Sequence, residues 1–178
     1  MTTQSFGERT GAVTFKGSPM TLVGPQLRVG EPAPAFTLTT KELAPLTLDE
    51  AIDEGSRSAL LIVVPSLDTS VCSLETQTFH RRLAELPPTI APFVVSIDLP
   101  FAQQRWAIAN EATDLAYLSD YRDHSFGRAY GVLIKELDLH ARSIFVVGRD
   151  RSLVYAEIVP EVANEPNYDQ VFAAVQKL

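Results

Sequence analysis

The chain carries one cysteine, Cys72, in the string Pro65-Ser66-Leu67-Asp68-Thr69-Ser70-Val71-Cys72. An apolar run, Ala59-Leu60-Leu61-Ile62-Val63-Val64, precedes the string, and an amphipathic stretch follows it. The order reads strand, polar turn, cysteine, helix. A thiol in the first turn of a helix stands at the positive end of the helix dipole, where free N–H groups favour a thiolate. Only the thiolate is a strong nucleophile, so this placement points to a reactive sulfur. The competing reading is a small buried hydrophobe. With no second cysteine, an oxidised Cys72 cannot end in a disulfide within its own chain. A disulfide framework and a multi-cysteine zinc site are excluded for the same reason.

The residues around Cys72 have bland readings of their own. Thr69 is a good helix N-cap, Pro65 stops a strand ladder, and Ser66 and Asp68 suit a turn. Arg142 precedes an apolar run, as a surface arginine at a strand edge would. The histidines, His80, His124 and His140, fall in no hydrolase pattern, and no carboxylate–histidine cluster suggests a metal.

Positioning these residues requires a core. The 178 residues are 46% hydrophobic and 21% charged, enough for a single domain with one sizeable core. The net charge of -7 gives no electrostatic case for nucleic acid or an anionic membrane surface. No apolar run approaches a membrane span, and the start lacks the pattern of a secretory signal, so the cytoplasm is the expected compartment.

Residues 1–11 are polar and read as a flexible N-terminus. Val13 to Val23 reads as a β-hairpin about Gly17-Ser18-Pro19. The sequence predicts short elements at Phe36–Leu38 and Leu48–Glu54, the second ended by Gly55. Ala59–Val64 and Phe93–Ile97 suit strands buried on both faces. A helix is predicted from Ser70, with Val71, Leu74, Phe79, Leu83 and Leu86 as its apolar positions and Pro87-Pro88 as its stop. Another follows from Phe101 to Asn110. A short strand at Ala116–Leu118, a hairpin of Ser143–Val147 with Ser152–Ile158, and a closing helix at Asp169–Leu178 complete the series. Strands alternating with helices predict an α/β fold whose sheet is covered on both faces and ends in an antiparallel pair.

A βαβ unit, a late ββα unit and a cysteine opening the first long helix resemble the thioredoxin fold. Thioredoxin's second active-site cysteine is missing. Instead, the spacing of Pro65, Thr69 and Cys72 resembles the Pro-x-x-x-Thr-x-x-Cys pattern of the peroxiredoxin family. Further ordered segments are similar to its bacterial thiol peroxidase subgroup: Val13-Thr14-Phe15-Lys16-Gly17, Asp98-Leu99-Pro100-Phe101-Ala102-Gln103, Phe126 to Val132, Ala141-Arg142-Ser143-Ile144-Phe145-Val146 and Asn164-Glu165-Pro166-Asn167-Tyr168. The resemblance covers residues 12–178 and implies one thioredoxin-like domain with an additional N-terminal β-hairpin.

The resemblance implies a thiol-dependent peroxidase that reduces hydrogen peroxide and alkyl hydroperoxides. Cys72 would be the peroxidatic nucleophile, and Thr69 would cap the helix and also bond peroxide and sulfur. Pro65 would shield the thiolate, Arg142 would hold it ionised, and the Val71 and Cys72 N–H groups would bind peroxide oxygens. Arg105 is the competing cation, on a face expected to be exposed. No cofactor or metal is implied; a homodimer is. Two positions depart from the pattern. Ala107 stands where the subgroup carries a resolving cysteine, and His80 stands where Asn is common after Phe79. A sulfenic acid on Cys72 would therefore need an external reductant, thioredoxin or a low-molecular-weight thiol. Two alternatives remain at this level: a redox sensor oxidised at Cys72 without turnover, and a cysteine-to-alanine replacement at position 107.

Overall fold

The computed structural model describes residues 7–178. In chain order its elements are β1 (Glu8–Phe15), β2 (Ser18–Val23), β3 (Thr37–Thr39), β4 (Pro45–Thr47), α1 (Leu48–Ala51), β5 (Ser58–Val63), α2 (Ser70–Arg81), β6 (Ile90–Ser96), α3 (Pro100–Ala109), β7 (Ala116–Ser119), α4 (Ser125–Ala129), β8 (Leu133–Ile134), β9 (Leu139–His140), β10 (Ser143–Val147), β11 (Leu153–Ile158) and α5 (Tyr168–Val175). Short 3-10 turns follow α1 and α2, at Asp53–Gly55 and Leu83–Glu85.

The seven-stranded sheet has the order β11-β10-β5-β6-β7-β3-β4. β5, β6 and β7 are parallel, with Leu61 opposite Phe93 and Val94 opposite Tyr117. α2 and α3 make the crossovers that parallel neighbours require. β10 runs antiparallel to both β5 and β11. All six residues of β5 are buried, because this strand is covered on both faces. Ala59, Leu61 and Val63 pack with Phe36, Leu48, Phe126 and Tyr130 on one face. Leu60, Ile62 and Val64 pack on the other face with Cys72 and Phe79 of α2, Trp106 of α3 and Phe172 of α5. Each fully buried Leu or Ile contributes about 1.5–3 kcal/mol, so the two faces together hold the crossover helices in place.

The expected N-terminal hairpin forms, but its turn is Lys16-Gly17, and Ser18 and Pro19 already belong to β2, opposite Phe15 and Thr14. Lys16 and Gly17 both take positive φ, at 51° and 79°, which suits a two-residue turn with the twist of the strands. One expectation needs correction: β1 begins at Glu8, so residues 8–11 of the expected flexible tail belong to a strand, with Glu8 opposite Val23 and Arg9 opposite Leu22. A bulge between Arg9 and Val13 breaks the alternation that would have marked them. Residues 1–6 lie outside the described residues. The hairpin also belongs to a second sheet, β1-β2-β8-β9. Its members β8 and β9, like α4 and β4, are too short for hydrophobic periodicity to signal.

α2 is the other correction. Its buried residues are Cys72, Glu75, Thr76 and Phe79, at the spacing of one helical face, whereas Leu74 is 44% exposed. The apolar positions chosen from sequence therefore mixed two faces. Polar groups occupy half of the inward face, and this is the face that carries Cys72.

Candidate active site

β5 delivers the chain to Pro65, which is buried, and a turn of Ser66 to Thr69 leads into α2. Asp98, just past the end of β6, clamps that turn. Its Oδ1 accepts from the Ser66 hydroxyl at 2.7 Å, and its Oδ2 accepts from Leu67 N–H at 2.8 Å and the Ser96 hydroxyl at 2.8 Å. Gln103 of α3 donates to Ser96 Oγ at 2.9 Å, which ties the clamp to the next helix. The adjacent parallel strands β5 and β6 thus bring a carboxylate to the loop that needs fixing.

Thr69 occupies the N-cap position of α2 but does not cap it with its side chain. Its hydroxyl donates instead to Ser66 O at 3.0 Å. Ser73 N–H bonds Thr69 O at 2.9 Å, whereas the Val71 and Cys72 N–H groups have no protein acceptor among the described residues. The helix start therefore keeps free donors, and the hydroxyl of Thr69 keeps lone pairs free. Both features suit an oxygen-bearing anion or a polarised peroxide next to the sulfur.

Cys72 is fully buried, and Arg142 reaches it from the start of β10. Arg142 Nη2 lies 3.4 Å from Cys72 Sγ. The same guanidinium donates through Nη1 to Glu75 Oε2 and through Nε to Val162 O at 3.0 Å. Three acceptors around one planar fork fix its orientation, which a flexible ammonium would not match. Burial opposes the charge on Arg142, but Glu75 and Cys72 hold it in its ionised form. Burial pushes the Glu75 carboxyl up, to about 8, against the pull of Arg142. Glu75 Oε1 has no hydrogen-bond partner among the described residues.

The sequence singled out Pro65, Thr69, Cys72 and Arg142. Cys72 and Arg142 are in direct contact, Thr69 heads the same helix, and Pro65 closes the strand before it. Arg105 is exposed on α3, as expected. The sequence reading does not reach Glu75: it lies three residues beyond Cys72 on the same helical face, but a carboxylate there breaks the apolar pattern that marks an inward stripe. Asp98 enters the sequence reading only within the Asp98 to Gln103 segment, with no role of its own. The histidines pair with carboxylates: His80 with Asp114 at 3.6 Å, His124 with Asp138 at 3.1 Å and buried His140 with Asp120 at 3.0 Å. Ala107 is buried in the same cluster as Cys72.

A thioredoxin-like sheet with a cysteine at the start of its first crossover helix, and an arginine on that sulfur, defines a thiol-based redox protein. Comparison with known proteins agrees. Residues 28–172 match the Redoxin family model. The thiol peroxidase of Listeria innocua is 46% identical over 165 residues, covering 93% of this chain and 98% of that protein. The thiol peroxidase of Bacillus subtilis is 45% identical over 166 residues, covering 93% and 97%. Among solved structures, a peroxiredoxin-like protein from Aquifex aeolicus superposes with a TM-score of 0.85 at 38% identity, covering 97% of this chain and 98% of that one. The chain belongs to the Redoxin family, within its thiol peroxidases.

Proposed function

We propose that the protein is a thiol-dependent peroxidase that reduces hydrogen peroxide and alkyl hydroperoxides at Cys72 and is recycled by an external thiol. The observation that carries this reading is the contact between Arg142 Nη2 and Cys72 Sγ at 3.4 Å, with both groups buried. A guanidinium there favours the thiolate and stabilises charge as it develops on the peroxide. The thiolate attacks one peroxide oxygen, the S–O bond forms as the O–O bond breaks, and the second oxygen leaves as hydroxide or alkoxide. That oxygen takes up a proton to give water or alcohol. Cys72, oxidised by two electrons, becomes a sulfenic acid.

Thr69 and the free N–H groups of Val71 and Cys72 orient the peroxide, and Pro65 walls off the sulfur from bulk water. With Ala107 at the position of the resolving cysteine, the sulfenic acid condenses with an external thiol and releases water. A second thiol then frees Cys72 by exchange. Thioredoxin or a low-molecular-weight thiol fits this role, in a cytoplasmic setting. The family resemblance supports a homodimer, to which Leu99 and Phe101, 52% and 62% exposed, offer apolar surface.

The test is peroxide consumption with each candidate reductant, together with intact mass after one equivalent of peroxide. Wild type gains one oxygen, returns to its starting mass with thiol, and turns over; Cys72→Ala consumes peroxide only at the buffer rate. Sustained turnover by Cys72→Ala removes the proposal. A single stoichiometric burst that no thiol can repeat favours a sensor.

A further inference from the structure

The Arg142 guanidinium is held from behind as well as from in front. Its Nε donates to Val162 O at 3.0 Å, and Val162 is buried in the loop after β11. The loop leaves β11 with Val159 N–H donating to Arg142 O at 2.9 Å, and beyond that point β1 holds it. Val162 N–H donates to Thr14 O at 2.8 Å, and Thr14 N–H donates to Pro160 O at 2.7 Å, so β1 flanks the loop on both sides of residue 161. Between them, the Glu161 carboxylate gathers the hairpin tip. It accepts from Thr14 Oγ1 at 2.9 Å, Lys16 N–H at 2.9 Å and Gly17 N–H at 3.0 Å, and from Ala163 N–H of its own loop at 3.0 Å. A carboxylate receiving this many donors is held ionised, its value drawn down to about 2. The hairpin tip, Glu161, the Val162 carbonyl, Arg142 and Cys72 Sγ are therefore joined in one chain of contacts.

We infer that Glu161 is a positioning residue for Arg142: by pinning the N-terminal hairpin to the loop after β11, it sets the Val162 carbonyl that orients the guanidinium on Cys72. The hairpin is then part of the active site, although its tip supplies no group to the sulfur. This inference rests on the proposed role of Arg142. A second carboxylate bound to the same hairpin supplies the control: Glu136, between β8 and β9, accepts from the N–H of Thr21 on β2 at 3.0 and 2.9 Å, with no bond to Val162. A hairpin needed only for stability responds alike to both losses.

The experiment compares Glu161→Ala, Glu161→Gln and Glu136→Ala at a temperature where circular dichroism shows each folded. Two readouts are taken: the rate constant of the peroxide step, and solvent exchange of the Arg142 Nε–H resonance, assigned by its loss in Arg142→Lys. Glu161→Ala is expected to slow the peroxide step about tenfold to 10²-fold, as a small misplacement does, and to speed Nε–H exchange. Glu161→Gln, which keeps one acceptor, falls between it and wild type, and Glu136→Ala matches wild type in both readouts. Glu161→Ala added to Arg142→Lys slows the reaction no further. Unchanged Nε–H exchange in Glu161→Ala overturns the inference, as do multiplicative losses in the double variant or equal effects of Glu136→Ala. If Arg142→Lys itself keeps the wild-type peroxide rate, the proposed role of Arg142 fails, while Nε–H exchange still decides whether Glu161 orients it.

Discussion

Arg142 meets three acceptors with one rigid fork, and that geometry sets what a substitution there costs. Lysine brings the same charge but only a single flexible donor group. Arg142→Lys is expected to lower the second-order rate of the peroxide step by about 10²-fold or more, measured by stopped-flow loss of peroxide. Glu75 sets a pH dependence. Its folded value, raised from 4.5 to about 8 by burial, means that the folded state holds this proton more tightly than the unfolded chain does. The associated stability is fully present below about 4.5 and is lost as pH rises towards 8. Urea midpoints should therefore fall across that window in wild type and change less in Glu75→Gln. Of these two residues, only Arg142 was legible, through the segment Ala141 to Val146. Glu75 was hidden because a buried carboxylate contradicts the apolar pattern by which helices are read.

At the scale of elements, the long strands and crossover helices were legible and the connecting pieces were not. β5 and β10 appear in the sequence as unbroken apolar runs because they are buried on both faces. α2 is where the sequence predicts it but its inward face differs, since Glu75 and Thr76 take places that an apolar stripe would fill. Thr69 was expected to cap that helix; its hydroxyl serves the turn instead, and the Val71 and Cys72 N–H groups have no protein acceptor among the described residues. The hairpin carries a prediction of its own. Because Glu161 is drawn down to about 2, its contribution is present above 4.5 and is lost as pH falls through the folded value. Acid unfolding followed by tryptophan fluorescence should show Glu161→Gln losing less stability over that range than wild type, from a lower starting point.

The whole molecule presents a sulfur that lies inside the protein. Cys72 sits at 0% exposure among the residues of α2, α3 and α5, so only small molecules meet it while the structure is closed. No helix among the described residues is long and apolar enough to cross a membrane, and the interior is given over to two packed faces of one sheet. A small thiosulfonate is expected to modify reduced wild-type protein much faster than a bulky maleimide does, with mild urea narrowing the gap. Equal rates without urea would contradict a closed site. Ala107→Cys adds a second test. Position 107 matches the resolving cysteine of the subgroup that the chain resembles, so peroxide should produce an internal disulfide in this variant, seen as a loss of about two mass units.

If Cys72 works as proposed, the Asp98 clamp would also act as a clock. On the proposed cycle, a protein reductant would need the turn held by Ser66 and Leu67 to let go before it reached the buried sulfur, and the strength of those bonds would set how long a sulfenic acid waits. During that wait a second peroxide competes to drive the sulfur irreversibly to the sulfinic state. Loosening the clamp with Asp98→Ala trades slower capture of the first peroxide for faster rescue. At high peroxide, such a variant should outlast the wild type it loses to at low peroxide.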